Sequence, residues 1–210
     1  MKRLLFIPIV FLLVCTAWAG PPASPPVDVD SLISTHNSDI TAHSATQSMY
    51  WGAGAMSADG AQCAVPAEVT INSGPITYTV ICADNDASTL YGHAVMPDGW
   101  DAGTVTFELE YLQTAADTGP LHSDIACMCR GAGETVNNTW GTEVAIDDAA
   151  VSGSNKVDQT TSAAATCNGT CAAGDMLFWR WQMDATGTTT AVATLHILGL
   201  KMEYTKAIGD

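Results

Sequence analysis

From about residue 66 the chain is written in short runs of Val, Thr, Ile and aromatic residues, broken roughly every ten residues by Gly, Pro, Asp or Asn. Runs at 69–71, 76–82, 89–96, 104–112, 121–129, 142–146, 156–163, 175–183 and 189–205 read as strands. None of them alternates with an amphipathic helix, so a parallel α/β sheet does not fit. Strands at this spacing predict an all-β fold, an antiparallel jelly roll or β-sandwich.

Two runs also predict which way they face. In TVTFELEYL, Val105, Phe107, Leu109 and Tyr111 share one side and Thr106, Glu108 and Glu110 the other, the alternation of a half-buried strand. In DMLFWRWQM, Leu177, Trp179, Trp181 and Met183 alternate with Phe178, Arg180 and Gln182. The tryptophan side is assigned to the core, because burying Arg180 without a partner is unfavourable.

The start of the 210-residue chain has another character. Lys2 and Arg3, an apolar run from Leu4 to Val14 and Ala17-Trp18-Ala19 before Gly20 make up a signal peptide over residues 1–19. The apolar run is shorter than the roughly 20 residues a spanning helix needs. Leu13 and Val14 before Cys15 do not suit a lipoprotein site. The mature chain is therefore expected to be secreted, with no membrane span. Without the leader, Lys+Arg falls from 7 to 5 against 22 Asp+Glu, and the formal charge moves from -15 to -17. A chain so acidic does not bind nucleic acid by neutralising phosphates. GPPASPP at 20–26 is a stiff spacer, and the polar stretch 28–43 has too few apolar residues to fold alone. Residues 20–49 are expected to form a linker and assembly segment, and 50–210 the β domain.

Six cysteines remain after the leader: Cys63, Cys82, Cys127, Cys129, Cys167 and Cys171. An even number in an exported chain predicts disulfides. The expected pairing joins Cys63 to Cys82 and the Cys127/Cys129 pair to the Cys167/Cys171 pair. The rival is a zinc site, since C-x-C and C-x-x-x-C could offer four thiolates.

Other candidate sites rest on oxygen, imidazole and indole groups. Asp84, Asn85 and Asp86 in one loop, and Asp98 and Asp101 in another, offer hard ligands that suit Ca2+. His36 and His43 would bind metal if their imidazoles were brought together, most simply by threefold symmetry around an axis. Trp51, Trp100 and Trp140 lie near turns and are candidates for stacking on a glycan. Catalytic signatures are missing: the chain has no G-x-S-x-G, no H-E-x-x-H and no phosphate-binding glycine loop. Glu108 and Glu110 have the spacing of a glycosidase pair, but any solvent-facing strand shows it. His93, His122 and His196 read as sheet residues. Asn137 and Asn168 stand in N-x-T sequons.

MPDGWDAGTVTFELEY at 96–111 and CAAGDMLFWRWQMDATGTTTAVATLHILGLKMEYT at 171–205 resemble a family of jelly-roll structural proteins of phage and metagenomic origin. Trp100, Asp101, Gly103 and Thr104 match its first motif; Gly174, Asp175, Arg180 and Asp184 match its second. HNSDITAH at 36–43 is similar to a string found in phage tail fibres. The resemblance implies a structural, non-enzymatic role and places Trp100 in a packing turn. The leader and the cysteines depart from the phage pattern and suggest re-use at a cell surface. The expectation is a secreted subunit that self-assembles into a fibre, filament or surface appendage, with an assembly segment able to add a strand to a neighbour's sheet. The alternative is a monomeric carbohydrate-binding adhesin module.

Overall fold

The structure is a computed structural model, and it describes residues 45–60, 62–83, 88–113, 119–183 and 194–206. These residues form eleven strands and one short 3-10 turn at Ala53–Ala55. In chain order the strands are β1 (Ala45–Gly52), β2 (Ser57–Ala58), β3 (Ala67–Thr70), β4 (Ile76–Ala83), β5 (Thr89–Val95) and β6 (Thr106–Gln113). They continue with β7 (Ser123–Arg130), β8 (Val144–Ala145), β9 (Val157–Thr161), β10 (Met176–Met183) and β11 (Thr194–Lys206). All the strand pairs are antiparallel and fall into two sheets, one ordered β3-β4-β11-β6-β9 and the other β2-β5-β10-β7-β8. The chain is thus an antiparallel jelly-roll β-sandwich. Among the described residues no helix is long and apolar enough to cross a membrane.

β11 organises the first sheet. Its 13 residues pair with β6 along one edge, and along the other first with β4, over Thr194–Ile197, and then with β1, over Gly199–Lys206. The β6 ladder slips between Ile197 and Gly199, and at this point β11 changes partners on its opposite edge. Gly199 serves a second purpose there: the end of the Tyr50 ring lies where a Cβ would stand, so any other residue would require the phenol to shift.

The predicted facing is what the structure shows. In β10 the residues alternate strictly, with Leu177, Trp179, Trp181 and Met183 fully buried. In β6, Phe107, Leu109 and Tyr111 are buried likewise and join the same core cluster. Each such side chain contributes about 1.5–3 kcal/mol through burial. Gly92, opposite Trp179 on β5, leaves the space that the indole fills. The alternation fails at Leu112, which is buried although it falls on the outward set. Leu112 lines a groove bordered by the β3–β4 hairpin and β9, whose Ile71, Pro75 and Val157 stand around it.

Two strands run against the sequence expectation. β1 and β2 precede residue 66, and residues 45–49, assigned above to the assembly segment, pair with β11 of the same chain. ATQSMYWG carries little β-branched signal of its own; the exposed edge of β11 and the burial of Trp51 in the core make it a strand.

The structure joins all six cysteines. Cys63 bonds Cys82, Cys127 bonds Cys167 and Cys129 bonds Cys171, closing sequence separations of 19, 40 and 42 residues. On a chain-entropy account each bridge contributes about 3–4 kcal/mol. In this oxidised chain the four clustered sulfurs form bonds to one another, and the zinc rival is set aside for that state.

Candidate ligand-binding face

The second sheet presents three aligned rows on its outer side, set by antiparallel register. Tyr91 of β5, Arg180 of β10 and Ala126 of β7 form one row; His93, Phe178 and Met128 form the next. Val95, Met176 and Arg130 complete the third. The β5 members are exposed and the β10 members half-buried, whereas all three β7 members are buried. The difference arises because segment 131–143 runs over the outer side of β7.

Arg130 anchors that segment. Its guanidinium, with the residue 8% exposed, donates to the carbonyls of Thr135 (3.1 Å), Thr139 (3.2 Å) and Cys129 (2.6 Å). It also donates to Asn137 Oδ1 (3.0 Å), Asn168 Oδ1 (3.2 Å) and the Asn168 carbonyl (3.4 Å). The five N–H groups of an arginine can hold several loop oxygens at once, which no other side chain can do. The segment then returns along β7, with the Gly141 N–H donating to the Cys127 carbonyl at 2.9 Å.

This path delivers Trp140 to the open part of the sheet. Its ring lies 6.1 Å from that of Tyr91, centroid to centroid and tilted by 34°, and the Arg180 guanidinium sits 5.3 Å from its centroid. The Trp140 Nε1–H donates to Asn138 Oδ1 at 2.6 Å, and Arg180 is ion-paired with Glu143 from the same segment. Beside them the His93 and Phe178 rings stand 6.1 Å apart. Such a face offers apolar ring surface bordered by hydrogen-bonding groups, with Arg180 already paired to Glu143. It can stack against an amphipathic, uncharged ligand.

The other sequence candidates lie elsewhere. Trp51 is buried, stacks edge-on against Trp179 with centroids 5.7 Å apart and donates to the His93 carbonyl at 3.0 Å. It belongs to the core and is unavailable for stacking on a sugar, which corrects the expectation for this residue. Trp100 packs against the core from the turn after β5, with its Nε1 buried. Asp101 Oδ1 accepts the Gly103 N–H at 2.8 Å, the use of an Asp in a turn. Among the described residues, a set of three or more ligand atoms within reach of one ion occurs at Cys129, Cys167 and Cys171; Asp98 and Asp101 do not belong to it. His36, His43, Asp84, Asn85 and Asp86 lie outside the described residues.

Both carboxylates of the supposed acid pair are engaged. Glu108 pairs with Lys201 at 3.0 Å, and Lys201 also meets Glu203 at 3.1 Å. Hydrogen bonds to these carboxylates hold the Lys201 ammonium above its ordinary range. Glu110 accepts from Tyr50 Oη at 2.8 Å and from Gln159 Nε2 at 3.0 Å. Partial burial, helped by that carboxylate, pushes the Tyr50 phenol up to about 12.

The alternation of TLYGHAVM already puts Tyr91, His93 and Val95 on one side of β5. The register with β10 was not readable, so their convergence with Phe178 and Trp140 went unseen. Arg130 was missed altogether, since nothing local marks it as buried.

No family model matches the chain, and no curated protein matches it. Among solved structures, the chain is similar to a family 35 carbohydrate-binding module from Clostridium thermocellum, with 10% identity, TM-score 0.44 and coverage of 74% of this chain and 97% of that one. It is also similar to a CBM36 carbohydrate-binding module in complex with calcium and xylotriose, with 10% identity, TM-score 0.42 and coverage of 73% and 98%. A third is the CBM36-1 domain of a multidomain xylanase from the hindgut metagenome of Trinervitermes trinervoides, with 12% identity, TM-score 0.42 and coverage of 74% and 96%. Likenesses this distant do not extend to ligand or activity.

Proposed function

We propose that this is a secreted carbohydrate-binding domain that takes a neutral glycan across the outer face of the β5–β10 pair. The observation that carries the reading is the convergence of Tyr91, Trp140 and Phe178, from two strands and a loop pinned by a buried arginine, on one solvent-facing surface. Three disulfides support a role outside the cell. The role is binding without turnover, in keeping with the engagement of Glu108 and Glu110 in structural contacts. An array of neutral and acidic oligosaccharides, followed by calorimetric titration of the best ligand, tests it. Trp140→Ala and Tyr91→Ala should each weaken binding about tenfold, or ~1.4 kcal/mol, with Trp100→Phe as a control outside the face. No bound sugar on the array, or binding indifferent to both alanines, would refute the reading. Repeating the titration in EDTA tests Ca2+ at the 84–86 and 98–101 loops, because unchanged affinity removes calcium from the site.

Self-assembly is a second reading, favoured by exposed Ile76, Tyr78 and Val157 near a groove of about 550 Å³ lined by Ile71, Pro75, Ile76, Leu112, Val157 and Leu198. Light scattering and electron microscopy on the mature chain test it. A monomer at all concentrations would remove it.

A further inference from the structure

Cys127 and Cys129 are successive inward residues of β7, and the segment beyond Ala165 runs beside that strand, with Asn168 bridged to Met128. Cys167 and Cys171 therefore meet them from one side, and the two disulfides are neighbours. The Sγ atoms of Cys129, Cys167 and Cys171 all lie within 4.8 Å of one another, and Cys127 is bonded to Cys167. A tetrahedral zinc with Zn–S of about 2.3 Å holds its sulfurs roughly 3.8 Å apart. Opening the two bonds thus leaves three thiols within 4.8 Å of one another, with the fourth, Cys127, carried next to them on the strand by its former bond to Cys167. Cys167 and Cys171 are half-buried rather than sealed, which gives a reductant and an ion a way in.

We infer that, when its two clustered disulfides are reduced, the protein holds one zinc-class cation on Cys127, Cys129, Cys167 and Cys171. A phosphine reductant, two equivalents with two waters, transfers four electrons to the disulfides and leaves four thiols and two phosphine oxides. One Zn2+ then displaces four protons, giving a centre of net charge −2.

The test uses the mature chain with Cys63→Ser and Cys82→Ser, which keeps only the four clustered cysteines. After anaerobic reduction, Co2+ should bind at one ion per chain with the visible spectrum of a tetrahedral thiolate complex and be displaced by Zn2+. Native mass spectrometry should show one Zn2+ gained with four protons lost. Adding Cys127→Ser and Cys129→Ser should weaken binding at least 100-fold. If reduction unfolds the chain, one equivalent of Zn2+ should restore its circular dichroism. Failure to bind one metal per reduced chain, equal binding by the oxidised chain, or binding indifferent to the two serines would overturn the inference.

Discussion

Arg130 is the side chain whose removal should be felt furthest from its own position. Arg130→Met keeps the buried methylene stem and removes donors from the Thr135, Thr139, Asn137 and Asn168 oxygens. Leaving several such acceptors unpaired costs on the order of 2–4 kcal/mol. The denaturation midpoint measures this, and loss of the Tyr91–Trp140 contact should lower glycan affinity in parallel. Arg130→Lys should recover little of either, because an ammonium cannot span the same oxygens. His196 makes a second prediction at this scale. Burial pushes its imidazole below the usual 6.5, so the folded state disfavours the proton that the unfolded chain accepts. Stability from this group is complete above about pH 6.5 and is lost as pH falls through that value toward the lowered one. His196→Leu removes the titration, so the melting temperatures of the variant and the parent should converge, or cross, as pH is lowered from about 7.5 to 5. A constant gap over that range would sink the idea. Neither residue advertised itself in the sequence: Arg130 ends an apolar run as though facing solvent, and His196 occupies an outward position that Thr79, 3.4 Å from its Nδ1, helps to cover.

At the scale of elements, β6 and β10 were legible because alternation records burial directly, residue by residue. β1 was not, because its reason for being a strand lies more than 140 residues away, in the edge of β11 from Gly199 to Lys206. The candidate face failed to appear for a related cause. Tyr91 and Phe178 each pointed outward in their own strands, but only the β5–β10 register sets His93 opposite Phe178 and Tyr91 opposite Arg180. Local pattern reports which face a residue takes, and register reports which residues share it. A deletion series separates β1 from what precedes it. Removing residues 20–49 takes Met49 from the core margin and bares the β1-facing edge of β11 from Met202 to Lys206. That chain should be about 2 kcal/mol less stable than one lacking only 20–44, and more prone to aggregate through the bare edge. Equal urea midpoints for the two would show that β1 contributes nothing. Self-assembly driven by the extension requires that the 20–44 deletion alone abolish oligomers.

The whole molecule adds a constraint that the face alone does not show. The 210-residue chain carries a formal charge of -15, and Arg180 on the face is paired with Glu143. An anionic polysaccharide approaching Tyr91 and Trp140 would meet a field of its own sign, with no unpaired exposed cation among the described residues of the face to offset it. A neutral chain meets no such barrier and can cover the rings, with contacts made by stacking and hydrogen bonds that ions barely screen. The two ligand classes therefore predict opposite responses to salt. The screening length shortens from about 30 Å at 0.01 M to about 8 Å at 0.15 M, so repulsion that reaches across the domain in dilute buffer is confined to its surface at the higher ionic strength. Affinity for a neutral oligosaccharide should stay within about twofold between these conditions, while any affinity for an acidic one should rise with salt. Calorimetric titration in both buffers decides the matter: an acidic glycan bound more tightly at low salt would mean that a positive site, not the Tyr91–Trp140 platform, governs recognition.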